Sequence, residues 1–400
     1  MKVSIRQTNK ILFALYNMIY VLYRVHILNR MIYMLTLGVF FLFEIYVVLS
    51  DQRREERFFR KEFRATMFVA FVFFAISLGI QIINGNLQTY LYEELLYFVV
   101  PCLAGYVCIN YSKDDDVKWF FYIILLKITL YFILRFWGTF SLSAIMAINF
   151  QDSNSSLYEI VIAHDFLFLM IIFVYFDDFK ATLLSFALCV LSFKRLPFIL
   201  SFVILVLYLL NKSGKAIKLG VLNKKVAKWL GGSFSNGSLI VMFLIMMSLP
   251  FIMQWVYSTS GVQWFNSTFG IDLNRETSGR VNIVNYALNN FMPNGLGSIT
   301  HFYETNSNEL FRRIANMHCD VIRLEKEVTI VGYAIYSYVL VKVFSRSRFT
   351  TIMLLYLVAE MTLSHMADQL NIWIIMYLFA AYLSKKRTEA RIVELQVGEG

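Results

Sequence analysis

Cysteine and proline are both scarce in this chain, at 4 residues each in 400. Three of the four cysteines, Cys102, Cys108 and Cys189, fall inside apolar runs where a thiol behaves as a small hydrophobe. With Cys319 they form neither a metal-binding spacing nor a disulfide framework. Few prolines mean few places where a long helix is forced to break. Internal repeats and low-complexity segments are absent, and no small-residue cleavage site follows the first apolar run despite Lys2, Arg6 and Lys10 before it. That first run therefore reads as a retained helix rather than a signal peptide.

What the chain has in abundance is apolar residue, 58% of the total, with a mean hydropathy of +0.59. A soluble core of this length cannot bury so much, so lipid must cover the remainder. The formal charge of +10 raises the question of nucleic acid. The basic residues sit in short segments between apolar runs, however, which is the pattern of cytoplasmic membrane loops and not of a nucleic-acid face.

The fold class expected is an all-α integral membrane protein of about twelve transmembrane helices. The candidate spans are 11–28, 31–49, 66–83, 91–110, 118–137, 159–176, 180–193, 196–210, 237–256, 328–344, 350–364 and 366–384. The seventh, eighth and eleventh are short. Lys and Arg accumulate on the cytoplasmic side. With twelve spans, the basic connections 51–64 and 211–229, Arg346 with Arg348, and Lys385, Lys386 and Arg387 all fall on one side. This arrangement predicts both termini inside. The expected organisation is nine helices in 1–256, an extracytoplasmic loop with short amphipathic helices in 257–327, three helices in 328–384 and a cytoplasmic tail in 385–400.

The same bookkeeping puts the polar stretch Ser141 to Tyr158 and the turn at Lys194 and Arg195 outside. A long loop without structure of its own is unusual unless functional. Within it, Thr277 or Ser278 is expected to cap a helix with Arg280 in its first turn, stopped by Pro293, Asn294 and Gly295. A second helix is expected to start near Asn316, with His318 at its beginning, and to run through Val328 into the tenth span.

Ionisable residues inside spans mark a cavity or pathway by default. Arg135, His164, Asp165, Arg195, Glu360, His365 and Asp368 all fall near the outer ends of their predicted helices, which an outward-opening aqueous cavity would explain. Snorkelling to headgroups is the alternative, weakest for His164, Asp165 and Glu360. Lys127 falls near mid-span, where a paired structural role and a functional one are both open.

Lys194 and Arg195 in the turn 192–197, Ser278-Gly279-Arg280 at one loop-helix start and His318 at the next combine into a candidate site. Arginine forks suit phosphate oxygens, and histidine suits general-base work near neutral pH. The order of an arginine in a tight external turn, then Arg280, Pro293 with Gly295 and Gly297, and His318 followed by Leu324, Glu327 and Gly332 resembles the bacterial O-antigen and capsular polysaccharide polymerases (Wzy type) and their relative, the O-antigen ligase. Thr329 stands where that family usually has a glycine, and Cys319 follows the histidine where a small polar residue is commoner.

The resemblance implies a bacterial cytoplasmic-membrane glycosyltransferase. Outside the membrane, a glycan on polyprenyl diphosphate is moved to a hydroxyl of another lipid-linked repeat unit, without metal or other cofactor and with inversion. Partners implied are that lipid-linked oligosaccharide, the bilayer, a flippase and a chain-length regulator, and no nucleic acid. Arg195 and Arg280 would hold the departing diphosphate and His318 would be the base, kept neutral by the helix N-terminus behind it. Lys194, His164, Asp165 and Glu360 are candidate diphosphate or sugar contacts. The residues alone leave bland roles open: Arg280 paired with a loop acid such as Glu276, Arg195 anchored to headgroups, and His318 on a surface. Two other functions compete. A ligase would use the same groups on a terminal acceptor, and a transporter or glycolipid flippase would suit twelve spans, although the sixth and seventh are joined by little more than 177–180 where transporters of two six-helix halves carry a long loop.

Overall fold

The computed structural model describes residues 4–50, 57–139, 141, 143, 162–212, 232–277, 279–305 and 317–398. Most of the polar stretch 141–158, Ser278, Asn316 and much of the basic connections 51–64 and 211–229 lie outside them. The described residues are helical, without a strand among them. In chain order the helices are α1 Ile5–Arg24, α2 Arg30–Ser50, α3 Arg60–Ile83, α4 Tyr90–Asn110, α5 Asp114–Phe136, α6 Ala163–Tyr175, α7 Phe179–Leu191 and α8 Arg195–Lys212. They continue as α9 Asn236–Tyr257, α10 Thr259–Phe269, α11 Leu273–Glu276, α12 Arg280–Asn290, α13 Ser298–Thr305, α14 Asp320–Phe344, α15 Arg348–Met361 and α16 Leu370–Gly398.

A helix covers each of the twelve predicted segments. Six of them, α2, α3, α4, α5, α9 and α14, are long and apolar enough to cross a membrane. The chain is thus an all-α membrane protein. The lipid-facing logic is visible on α2, where Leu35, Val39, Leu42, Tyr46 and Leu49 form an exposed apolar stripe at alternating four- and three-residue spacing. The opposite stripe, Leu37, Phe40, Glu44 and Val47, is buried. Water would not tolerate the first stripe, and hydrocarbon does.

Two compact units share the chain. One comprises Met1–Phe59, Leu103–Trp229 and Ile374–Gly400. Here Ser4 opens α1 with a capping box, its side chain taking the Gln7 N–H and the Gln7 side chain taking its own. Helix α1 packs on α2 and α5, and α6, α7 and α8 pack together. Gly105 is obligatory in this unit, because a Cβ there would meet the Tyr377 backbone carbon at 2.8 Å. The acidic first turn of α5 gathers cations from far along the chain: Arg6 and Lys10 meet Asp116, and Lys385 and Lys386 meet Asp114.

The other unit comprises Arg60–Cys102 and Leu230–Trp373. Helix α14 lies between α3 and α9 as its central element. Residues 257–305, expected as a loop with short helices, fold as α10 to α13. Helix α12 is not capped by Thr277, whose hydroxyl donates to the Leu273 carbonyl. It starts from Gly279, at φ 83°, a left-handed conformation that glycine adopts without a Cβ penalty. Helix α14 carries a break the apolar pattern did not announce. Thr329 sits at φ 63° and ψ 168°, outside the helical region, so two helical segments meet there. This is the position where the resemblance to the polymerase family implied glycine.

Candidate functional site

The site grows from the first two turns of α14. Asp320, Arg323 and Glu327 recur at three- and four-residue spacing and so share one face, and all three are fully buried. The Arg323 Nε lies 3.0 Å from Asp320 Oδ1, and its Nη1 lies 3.8 Å from Glu94 Oε2 on α4. No Arg323 nitrogen has a well-formed hydrogen bond among the described residues. A guanidinium buried this way is held by charge, which makes its carboxylate partners indispensable.

The two α14 carboxylates, Asp320 and Glu327, also hold backbone. Asp320 Oδ2 accepts the N–H groups of Met366 and, at 2.6 Å, Ala367. Glu327 Oε1 accepts the Ile299 N–H at 2.8 Å. The Pro293–Gly297 stretch docks on the end of α3 and the start of α4: Asn84 donates to the Pro293 carbonyl at 2.9 Å, and the Leu296 N–H donates to Ser77 Oγ at 2.9 Å. Gly295 and Gly297 have φ of 88° and 83°. A Cβ on either would come within 2.7 Å of Ser77 Cβ or Glu94 Cγ respectively. Glycine at 297 therefore leaves the space through which Glu94 reaches Arg323.

The turn between α15 and α16 is the meeting point. Arg280, at the start of α12, donates from Nη1 to the Leu363 carbonyl at 2.7 Å. It has no carboxylate partner among the described residues, which do not include the loop acid Glu309. Two residues on, His365 Nδ1 lies 3.3 Å from His318 Nδ1. The Asp320 clamp follows at Met366 and Ala367, and Trp373 Nε1 donates to the Met366 carbonyl at 3.1 Å. Glu360, in the last turn of α15, is buried just before this turn. Burial pushes the neighbouring Cys319 thiol up to about 12, so it stays a thiol.

The structure thus brings Arg280 and His318 to one five-residue turn, Leu363–Ala367, Arg280 to its backbone and His318 to the His365 ring. Lys194, Arg195, His164 and Asp165 belong to the other unit. There Phe193, at φ 47°, turns the chain so that Arg195 opens α8. Pro197 falls in the first turn of α8, where a missing N–H costs nothing. Arg195 is exposed, while His164 and Asp165, in the first turn of α6, are buried. Asp165 acts electrostatically on Lys127, whose ammonium sits 4.2 Å and 5.3 Å over the rings of Tyr20 and Tyr16. The mid-span lysine is therefore a partnered one.

Asp320, Arg323 and Glu94 were missed as site residues by the sequence reading, and His365 was noted only for its depth. For Asp320 and Arg323 the signal is the Asp-x-x-Arg-x-x-x-Glu spacing that ends at Glu327 in the head of α14, whereas Glu94 on α4 has none. Among the described residues no three His, Cys, Asp or Glu side chains converge as metal ligands. No protein-family model matches this chain, and neither a curated protein nor a solved structure is detectably similar to it.

Proposed function

We propose that this protein is a membrane glycosyltransferase of the polysaccharide-polymerase type, transferring a glycan from polyprenyl diphosphate to a hydroxyl of another lipid-linked repeat unit. The observation that carries the reading is the convergence of Arg280, which opens α12, and His318, just before α14, on the turn Leu363–Ala367. A cation fork and an imidazole on one rigid turn are what a metal-independent transfer from a diphosphate needs.

In the reaction proposed, the acceptor oxygen attacks the anomeric carbon, the bond to the diphosphate oxygen breaks on the opposite face, and the hydroxyl proton passes to His318. In the tautomer in which His318 Nδ1–H donates to His365 Nδ1, Nε2 is the basic nitrogen that takes it. Arg280 meets the charge that develops on the leaving diphosphate, and Arg195 and Lys194 are phosphate contacts of their own unit in this reading. Attack from the face opposite the leaving group inverts the anomeric centre. His164, Asp165 and Glu360 are contacts for the sugar or diphosphate in this reading.

The topology proposed is twelve spans with both termini cytoplasmic and 257–327 outside, in a bacterial cytoplasmic membrane. Support comes from helices over all twelve segments and from Arg6, Lys10, Lys385 and Lys386 gathering on the first turn of α5, which puts α1's start and α16's tail at one end of their unit. A flippase and a chain-length regulator are the partners this function calls for.

The test is the size distribution of lipid-linked glycan in cells carrying Arg280→Ala or His318→Ala at wild-type expression. Accumulation of a single lipid-linked repeat unit in both variants is expected. Unchanged polymer in both refutes the chemistry, and full-length chains stranded on the carrier identify a ligase instead.

A further inference from the structure

A second site lies away from this chemistry, in a groove of about 550 Å³ between α3, α9 and α14. Its walls are Phe68, Phe243, Ala334 and Tyr338, with Arg64 and Lys342 also lining it. The sequence orders these groups by depth. Arg64 is in the second turn of α3, and Lys342 is in the last turn of α14. Glu62 and Arg346 pair across the same two helix ends, so both cations stand at one level. Phe68 lies one turn inward from Arg64, while Tyr338 and Ala334 lie one and two turns inward from Lys342. Ala334 supplies the recess, because any longer side chain at its position would fill it.

Neither Arg64 nor Lys342 has a carboxylate partner among the described residues, and Glu62 is taken by Arg346. Lys342 Nζ rests 5.5 Å over the Tyr338 ring. Phe68 and Tyr338 remain 54% and 53% exposed. In a membrane protein, two cations at the mouth of an apolar groove are complementary to one kind of molecule, an amphiphile with an anionic head and a hydrocarbon tail. A neutral lipid would leave both charges unmet. A soluble anion would leave the aromatic walls uncovered.

We propose that this groove binds one anionic glycerophospholipid, its phosphate bridging Arg64 and Lys342 and one acyl chain lying along Phe68, Phe243 and Tyr338 over Ala334. The site stands independently of the glycosyltransferase reading.

The test is native mass spectrometry of the full-length protein in detergent, titrated with phosphatidylglycerol or phosphatidylcholine, beside Arg64→Gln/Lys342→Gln and Ala334→Trp. The wild type should retain one phosphatidylglycerol at least tenfold more tightly than phosphatidylcholine. The charge variant should lose that preference, and Ala334→Trp should lose the tight lipid with both cations intact. Each variant must keep the wild-type unfolding temperature to count, and the two fail independently. No phosphatidylglycerol preference in the wild type, or a preference that survives either folded variant, overturns the proposal. So does a wild-type oligomer that persists without lipid and dissociates in Ala334→Trp, since the groove would then hold a second copy of the chain.

Discussion

Replacing Asp320 by alanine should destabilise the protein more than any other single truncation near the candidate site. The carboxylate is fully buried, 3.0 Å from the Arg323 guanidinium, and is the acceptor for the Met366 and Ala367 N–H groups. Its removal leaves Arg323 with Glu94 at 3.8 Å as its remaining close ion-pair partner among the described residues. Breaking a buried pair from one side costs about 3–5 kcal/mol, because a charge is stranded. Two backbone donors losing their acceptor, at about 1–3 kcal/mol each before water or relaxation relieves them, push the value toward the top of that range. The assay is built into the chain: all four cysteines are free and buried, so a thiol-reactive fluorogenic dye reports unfolding on heating. The double variant Asp320→Ala/Arg323→Met should be less destabilised than Asp320→Ala alone, since it removes the stranded charge. A single variant within about 0.5 kcal/mol of wild type, the scale of a neutral surface substitution, refutes the reasoning. A double variant worse than the sum of the singles refutes it equally.

Thr329→Gly should raise the unfolding temperature, because a backbone conformation reserved for glycine costs a branched residue about 1–3 kcal/mol, whereas Thr329→Val should bring no gain. Gly297→Ala combines a positive φ with a 2.7 Å approach to Glu94, so thermal unfolding should come earlier. Burial favours the neutral form of the Asp178 carboxyl, but bonds from Lys118 and Tyr122 outweigh it and hold its pKa below the usual carboxylate range. A lowered folded-state pKa gives stability that is present above the unfolded value of about 3.9 and lost as pH falls through the folded one. The difference between wild type and Asp178→Asn in urea unfolding should therefore be full at pH 6 and shrink below pH 4, and a constant difference across that range would contradict the assignment.

Sequence patterning located the helices because lipid demands about 20 apolar residues per span and the punctuating charges are short. It also located Arg280, His318, Gly295 and Gly297, whose spacing is local. It did not locate the Asp320–Arg323–Glu94 cluster. Arg323 looks like one charge among many in a polar loop, and only the docking of α14 beside α4 makes it a buried cation. The start of α12, expected at Thr277 or Ser278, falls at Gly279 for a related reason: a hydroxyl is the usual cap, but that of Thr277 bonds backward to Leu273. The break at Thr329 has no composition signal at all, since threonine there is the wrong residue for its own backbone.

The cations gathered on α5 carry a consequence for the order in which the protein is made. Asp116 can receive Arg6 once α5 has left the ribosome, 110 residues after its partner. Asp114 must wait for Lys386, 272 residues later. At about 5–20 residues per second that interval is roughly 14–54 s. Throughout it, α1 and α5 lack that last contact while the rest of their own unit and the Leu230–Trp373 segment of the other are being synthesised. Closure of the first-made part is thus a late event in biogenesis, and a nascent chain stalled before Lys385 would be the form open to quality-control proteolysis.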